Sequence, residues 1–505
     1  MKSPYYISVV AMLLLVSCSV GPKYQRSALQ VQPIYLSLEK AAGTASAAKA
    51  TKDWWHCFED AILNGLVSEA QKQNITIEIA AERIKTARSY QTAMAAFKVP
   101  TVNVGAGFTA YQLSEKEPLL GPAFTMANPI SGGTGLLNRE GSSFLVGATV
   151  AWEPDLFGRI EQRTSAAGIR AEQAEIFREG TVIVMTSEVI YNYFQLRGAQ
   201  NRIDIMDSNI EKQQKTLELV KTNYESGLAS ELDLSRAQAL LATMDSARPQ
   251  LETAEKTHIF RLTILLSKDP REILGRLSEH RELPAMRGII PVGLPSDLLK
   301  RRADIRIAER EMAATNAELA AAVADRYPQL ILTGGLGTQA EHVGGLLTSG
   351  SDIYGLGIGV KWNVFDGGLR EAMKNIAESN FRSAALRYEQ TVQNALGEVE
   401  VLLVNYGNSQ RFAKSIKTAD KHSDTALAKA ITLYEAGLID QIDLLDAQRQ
   451  KNSVSDLEVV SRLQTVNAVV SLYKALGGNW EEKVETSHGK VPDVNDFEKN
   501  GLFLN

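Results

Sequence analysis

Two periodicities alternate along the chain. From Glu59 to Phe97 the apolar residues Leu63, Leu66, Ala70, Ile75, Ile77 and Ala81 recur at three- and four-residue steps with no proline between them, which predicts helix. Pro100 ends that segment and the period drops to two. Val102, Val104, Ala106, Phe108 and Ala110 then alternate with Thr101, Asn103, Gly105, Gly107 and Thr109, the pattern of a strand. A Gly- and Pro-containing loop follows, residues 114–141. In the next alternating run Phe144, Val146, Ala148, Val150 and Trp152 share one face, and Ser143, Gly147, Thr149 and Ala151 share the other.

WEPDLFGR then opens a long helical stretch. No proline occurs between Pro154 and Pro249, and from Ile160 to Asn223 the residues are mostly good helix formers. A helix over that range would be roughly 95 Å long, more than a single globular core requires. The turn YESGLASELDL reverses the chain into a second helix. After a linker containing Pro284, Pro291 and Pro295 the whole order recurs. A helix from Ser296 is stopped by Pro328, the strand QLILTGGLGTQ and a loop follow, and a fourth strand carries Tyr354, Leu356, Ile358, Val360 and Trp362 on one face. WNVFDGGLR and the turn YEAGLIDQIDL complete the second copy. Tyr224 and Tyr434 lie 210 positions apart, as do Trp152 and Trp362, so an internal twofold repeat is expected. The expected boundaries are a signal peptide over 1–17, an anchor segment over 18–58, repeats over 59–270 and 298–480 with a linker over 271–297, and a tail over 481–505.

Each strand has roughly the length that crosses a tilted β-barrel wall in a membrane. Alternation alone equally fits a half-buried sheet in a soluble domain. Helices of this length joined by tight turns fit antiparallel hairpins, closed either into a tube or into a solid coiled-coil rod. If the strands do meet lipid, four of them leave two open edges, and copies from other chains must close the sheet.

Composition narrows the function. The 505 residues carry a net charge of −5, so no nucleic-acid partner is expected. The cysteines, Cys18 and Cys57, are too few for a disulfide framework, and the six histidines show no metal-ligand spacing. Nucleotide-binding glycine fingerprints, P-loops and nucleophile elbows are absent, so no enzyme, catalytic residue, metal or cofactor is expected. At the N-terminus Lys2 precedes a short apolar run ending in Leu15-Val16-Ser17-Cys18, which resembles a bacterial lipobox. Cys18 is the expected lipidation site; a plain signal peptide with an incidental cysteine is the alternative.

Together the lipobox, GPKY (Gly21 to Tyr24), DWWHCFEDAILNGLVSEAQKQN, WEPDLFGR, GLPSDLLKRRADIRIAE, WNVFDGGLR and the paired turns resemble the outer-membrane factor, or TolC-like, family in its lipoprotein branch. The resemblance covers roughly residues 18 to 480. It implies a mixed α/β membrane channel, a homotrimer with a 12-stranded β-barrel in the outer membrane and a long α-helical barrel across the periplasm of a Gram-negative bacterium. It also implies a periplasmic adaptor and an inner-membrane pump as partners, and outer-membrane lipid around the barrel. The expected function is the passive outer duct of a tripartite efflux system; a protein-secretion duct and a lipid-anchored coiled-coil adaptor without a pore are the alternatives. One departure concerns Arg301-Arg302-Ala303-Asp304-Ile305, where family members usually carry a proline in place of Ala303. A shifted helix cap is expected there.

The resemblance makes the turns at Gly227, Leu228, Gly437 and Leu438 the adaptor-contact tips, although each leucine could instead cover its own helix end. Gly227 and Gly437 suit the left-handed backbone that ends a helix. Ser230 suits an N-cap, and Asp233 and Asp443 suit a first turn. Trp152 and Trp362 end apolar strand faces, where either a membrane-interface girdle or corner packing would place them. Asp233, Arg236 and Asp443 are candidate gate charges. If they hold the tip closed by ion pairs, replacing Asp233 and Asp443 with Ala makes the channel leakier in planar bilayers. Unchanged conductance would exclude that role.

Overall fold

A computed structural model of the chain describes residues 20–25, 31–40, 44–45, 53–114, 116, 140–284 and 290–478. Cys18, the signal segment and the tail lie outside them. The helices, in chain order, are α1 (Ala61–Gln73), α2 (Ile75–Ala95), α3 (Arg159–Glu225), α4 (Glu231–Leu266), α5 (Pro270–Leu277), α6 (Pro295–Arg301), α7 (Ala303–Ala324), α8 (Leu369–Glu435) and α9 (Gln441–Ala475). The strands are β1 (Thr44–Ala45), β2 (Thr101–Gln112), β3 (Glu140–Trp152), β4 (Ile290–Pro291), β5 (Gln329–Ala340) and β6 (Asp352–Lys361). The order helix, strand, strand, 67-residue helix, turn, helix thus runs twice. The chain packs as two units, and α2, α3, α7 and α8 each run from one into the other.

The first unit takes residues 79–177 and 306–391. Its sheet has the order β2-β3-β5-β6, antiparallel throughout. The registers confirm the faces read from the sequence: Val104, Ala148, Leu336 and Tyr354 form one row across four strands, and Asn103, Thr149, Gly335 and Gly355 form the next. Glycines let the strands approach closely. A Cβ on Gly147 would lie 2.7 Å from the Leu336 carbonyl oxygen, and one on Gly337 would strike the Val146 carbonyl oxygen. Ala166, Ala167 and Ala171 at the start of α3 and Ala313, Ala317 and Ala320 of α7 are all buried. Arg163–Asp325 (2.7 Å) and Arg170–Glu318 (2.9 Å) join α3 to α7 and the residue that follows it.

The second unit takes residues 30–78, 178–305 and 392 onward. WWHCF forms a 3-10 turn whose Trp54 stacks on Tyr473 at 4.2 Å, while Phe58 meets Phe194 edge-on at 4.6 Å. Leu63, Leu66 and Val67 of α1 are buried, along with Val189, Ile190, Leu262, Leu266 and Leu472. Burial also pushes the Cys57 thiol up to about 12, so it stays protonated and inert.

Two stretches read as single helices are broken. At Asn74 the backbone turns extended, and the side chain holds the break. Its oxygen accepts from Thr76 N–H (2.9 Å) and Ile77 N–H (3.2 Å), and its amide nitrogen donates to the Leu265 carbonyl (2.7 Å). The helix from Ser296 likewise divides at Arg302, which is extended (φ −68°, ψ 127°) between α6 and α7. Its guanidinium donates to Asp304 (2.7 Å), Glu398 (2.6 Å) and the Ala475 carbonyl (3.0 Å). Burial would raise the Asp304 carboxyl, but the hydrogen bond and charge of Arg302 outweigh it and hold it below the usual range. Ala303 is the first residue of α7, a position where proline is also favoured, so its absence leaves the fold intact.

The glycine contacts give a direct check on the sheet. Gly337→Val should destabilise β3–β5 pairing by about 1–3 kcal/mol. Gly355→Ala, whose Cβ meets nothing within 4 Å, should stay within about 0.5 kcal/mol. Thermal melts and amide exchange of β3 and β5 would show it; equal effects from both would contradict the close approach.

Candidate functional site

No cleft with converging catalytic side chains dominates the described residues. The chemically distinctive features are a sheet with two open faces and, in the other unit, a pair of helix-ending turns.

The sheet is unusual for a globular protein because its apolar side is bare. Val104 is 81% exposed, Tyr354 89% and Leu356 94%, with Val102, Phe108, Leu336, Ile358 and Val360 also exposed. The opposite side carries Thr101, Asn103, Gly105, Gly107, Thr109, Gly355, Gly357, Gly359 and Lys361, with Leu145, Ile331 and Ile353 as apolar exceptions. β2 and β6 each pair on one side only. Among the described residues no helix is long and apolar enough to cross a membrane.

Trp152 and Trp362 close the two strand pairs by the same device. The Trp152 indole N–H donates to the Lys98 carbonyl (3.0 Å), just before β2, and that of Trp362 donates to the Arg326 carbonyl (3.2 Å), just before β5. Trp152 is half-buried and Trp362 exposed. The corners that follow differ. Phe157 stacks on Tyr327 at 4.9 Å, with Gly158 at φ 77°. In the second corner Phe365 is exposed, Gly367 and Gly368 both have positive φ, and Asp366 accepts from Gly368 N–H and Arg370 N–H. The sequence marks this difference, since Phe365 lies three residues after Trp362 and Phe157 five after Trp152, but the exposure of Val364 and Phe365 is not legible in it. The segment after Cys18 lies along this unit: Tyr24 donates to Glu309 (2.6 Å) and Asn316 to the Pro22 carbonyl (3.1 Å).

The two turns share one geometry. Gly227 has φ 74° and its N–H donates to the Tyr224 carbonyl (2.9 Å), while Leu228 N–H donates to that of Asn223 (2.8 Å). Gly437 has φ 68°, with the same bonds to Tyr434 and Leu433 (both 2.9 Å). This is the Schellman arrangement, and it leaves Leu228 81% and Leu438 71% exposed. The next helices are capped differently. Ser230 and Asp233 form a reciprocal capping box, whereas Asp440 accepts from Asp443 N–H (3.1 Å). Arg236 reaches Asp233 only at 3.9 Å, and Asp443, exposed in the second turn, joins neither. Gln441 makes the contact between the turns, its buried amide donating to the Asp233 carbonyl (3.1 Å). Nothing in composition or spacing marked Gln441. Behind the turns Ile210, Leu240, Met244 and Leu445 form a buried cluster.

The model of a family described as outer membrane efflux protein matches residues 66–267 and 294–478. The chain is 30% identical to outer membrane protein OprJ of Pseudomonas aeruginosa, over 93% of this chain and 95% of that one. It is 27% identical to the toluene efflux pump outer membrane protein TtgI of Pseudomonas putida, over 94% and 98%. Among solved structures, the outer-membrane channel OprN superposes with a TM-score of 0.83 at 30% identity, covering 92% of this chain and all of that one.

The first turn should respond to acid. Hydrogen bonds from the Ser230 hydroxyl and N–H hold the Asp233 carboxyl below its usual range. A group depressed on folding stabilises above its unfolded pKa, and that stability is lost as pH falls through the folded one. Amide protection over 228–236 should therefore fall as pH drops below about 4, and Asp233→Asn should remove the dependence. An unchanged profile in the variant would contradict the role of the carboxylate.

Proposed function

The chain belongs to the outer membrane efflux protein family and is an outer-membrane efflux channel; we propose that it is the passive outer duct of a tripartite system expelling small molecules, assembled from three copies. The observation that carries this reading is the sheet, with both faces open and both outer edges unpaired. The 12 residues of β2 make roughly 40 Å of strand. Tilted at about 45°, that length covers the hydrocarbon core of a bilayer. The apolar face then meets lipid, and the Gly, Thr and Asn face lines water. Strand directions alternate across the sheet, so β6 of one copy meets β2 of the next antiparallel. Three copies of four strands give 12, enough to leave a lumen lined by small residues.

The twofold order reads as a duplication of one unit, 59–270 and 298–480, with α5 and β4 in the linker between. Trp152 and Trp362 suit the boundary of the barrel with the headgroups, each indole N–H satisfied internally while the ring faces outward. An acylated Cys18 would add a lipid anchor. A relative named for toluene efflux supports small cargo. A lining of Gly and Thr contacts such cargo weakly, so selection falls to an inner-membrane pump. The chain itself then performs no catalysis. Leu228 and Leu438 are the exposed apolar anchors with which the turns would dock an adaptor.

Photo-crosslinkers placed at 228 and 438 in living cells, read by mass spectrometry, test the docking. Capture of the periplasmic adaptor of a proton-driven pump is expected. An ATP-driven exporter's adaptor would move the reading to secretion, and capture of lipid or of the chain alone would overturn the placement of the turns.

A further inference from the structure

In the unit that holds the turns, the connector after α5 is clasped by a histidine. His280 Nδ1 lies 2.5 Å from Asp204 Oδ1 of α3, and its Nε2 faces Glu255 Oε1 of α4 at 3.9 Å. The two ring nitrogens thus point at carboxylates from two different helices, the first within hydrogen-bond reach and the second at charge-pairing distance. A neutral imidazole carries one N–H and one lone pair, so it can serve only one of them and turns its lone pair toward the other. An imidazolium serves both.

Glu255 is 7% exposed at its side chain and is tied down otherwise. It accepts from Gln200 Nε2 (3.2 Å), and Lys256 Nζ lies 3.0 Å from its second oxygen. The neighbouring backbone is held as well. Arg197 donates to the Glu279 carbonyl (2.8 Å), Gln200 to that of Leu277 (2.8 Å), and Arg462 of α9 to that of Leu283 (2.7 Å). Glu279 and Arg281, on either side of His280 in the connector, pair with each other at 2.7 Å. Among the groups at this junction the imidazole is the one that can exchange a lone pair for a second N–H, and so hold both carboxylates at once.

We propose that His280 is a pH-sensitive clasp: protonated, it fastens the connector 278–284 to α3 and α4 at once, and as pH rises it releases one of them. Because Arg462 ties the same connector to α9, the clasp sets how firmly both helical hairpins are joined at this level. An outer-membrane channel exposed to changing external pH would thereby stiffen in mild acid. This inference does not depend on the cargo or on adaptor docking.

Amide exchange mass spectrometry of the full-length protein in detergent, at about pH 5.5 and about pH 8 and corrected for intrinsic exchange, tests it. Protection of peptides covering 278–284 should be about tenfold higher at the lower pH, while α1 and the buried end of α4 stay level. His280→Gln and Asp204→Asn should each flatten that difference without changing protection elsewhere. The same difference persisting in His280→Gln, its absence in the wild type, or an equal change throughout the chain would each overturn the proposal.

Discussion

Hydrocarbon offers no partner to a backbone amide, and that constraint organises this molecule. Each unpaired N–H or C=O in lipid costs several kcal/mol, so a membrane-crossing sheet must have no free edge. Here four strands pair with each other in an unbroken antiparallel order and leave two edges open. Their apolar side chains are bare over the length of β2 and β6, which water would penalise and lipid rewards. Both demands are met together when further copies complete the ring. The glycines serve the same end, because Gly147 and Gly337 allow a backbone approach that any side chain would block.

The helical part answers a different need. Two 67-residue helices are each returned by a partner of about half that length through a turn of the same Schellman type. In one unit ion pairs such as Arg163–Asp325 and Arg170–Glu318 join α3 to the end of α7. In the other, aromatic residues of the N-terminal turn lock onto α3 and α9, with Trp54 on Tyr473 and Phe58 on Phe194. The turns leave Leu228 and Leu438 exposed beyond capped helix ends. Rigid hairpins presenting bare apolar tips are suited to docking, since little order must be gained on contact.

Much of this was legible in the sequence because its signals are local. Alternation over ten residues fixes which face Val104 or Leu356 takes, and the registers agree. Gly227 and Gly437 could be read as left-handed, and Ser230 as a cap, because caps depend on a few neighbouring residues. The breaks at Asn74 and Arg302 were not legible, since each is held by a distant partner: the Leu265 carbonyl for one, Glu398 and the Ala475 carbonyl for the other. The contact between the turns was hidden for the same reason. Asp233, Arg236 and Asp443 were the visible charges, yet Gln441 makes the bridge, and its partner is a carbonyl that no sequence pattern marks. His280 is a further case, its meaning arising only when α3 and α4 bring Asp204 and Glu255 to opposite sides of the ring.

The closure of the sheet by other copies is the central claim, and native mass spectrometry of the detergent-extracted protein tests it most directly. A dominant species of three copies, persisting until denaturation, is the expected result. Stable single-copy particles whose β2 and β6 edge amides exchange as slowly as those of β3 and β5 would contradict it, because the edges would then be satisfied within one chain.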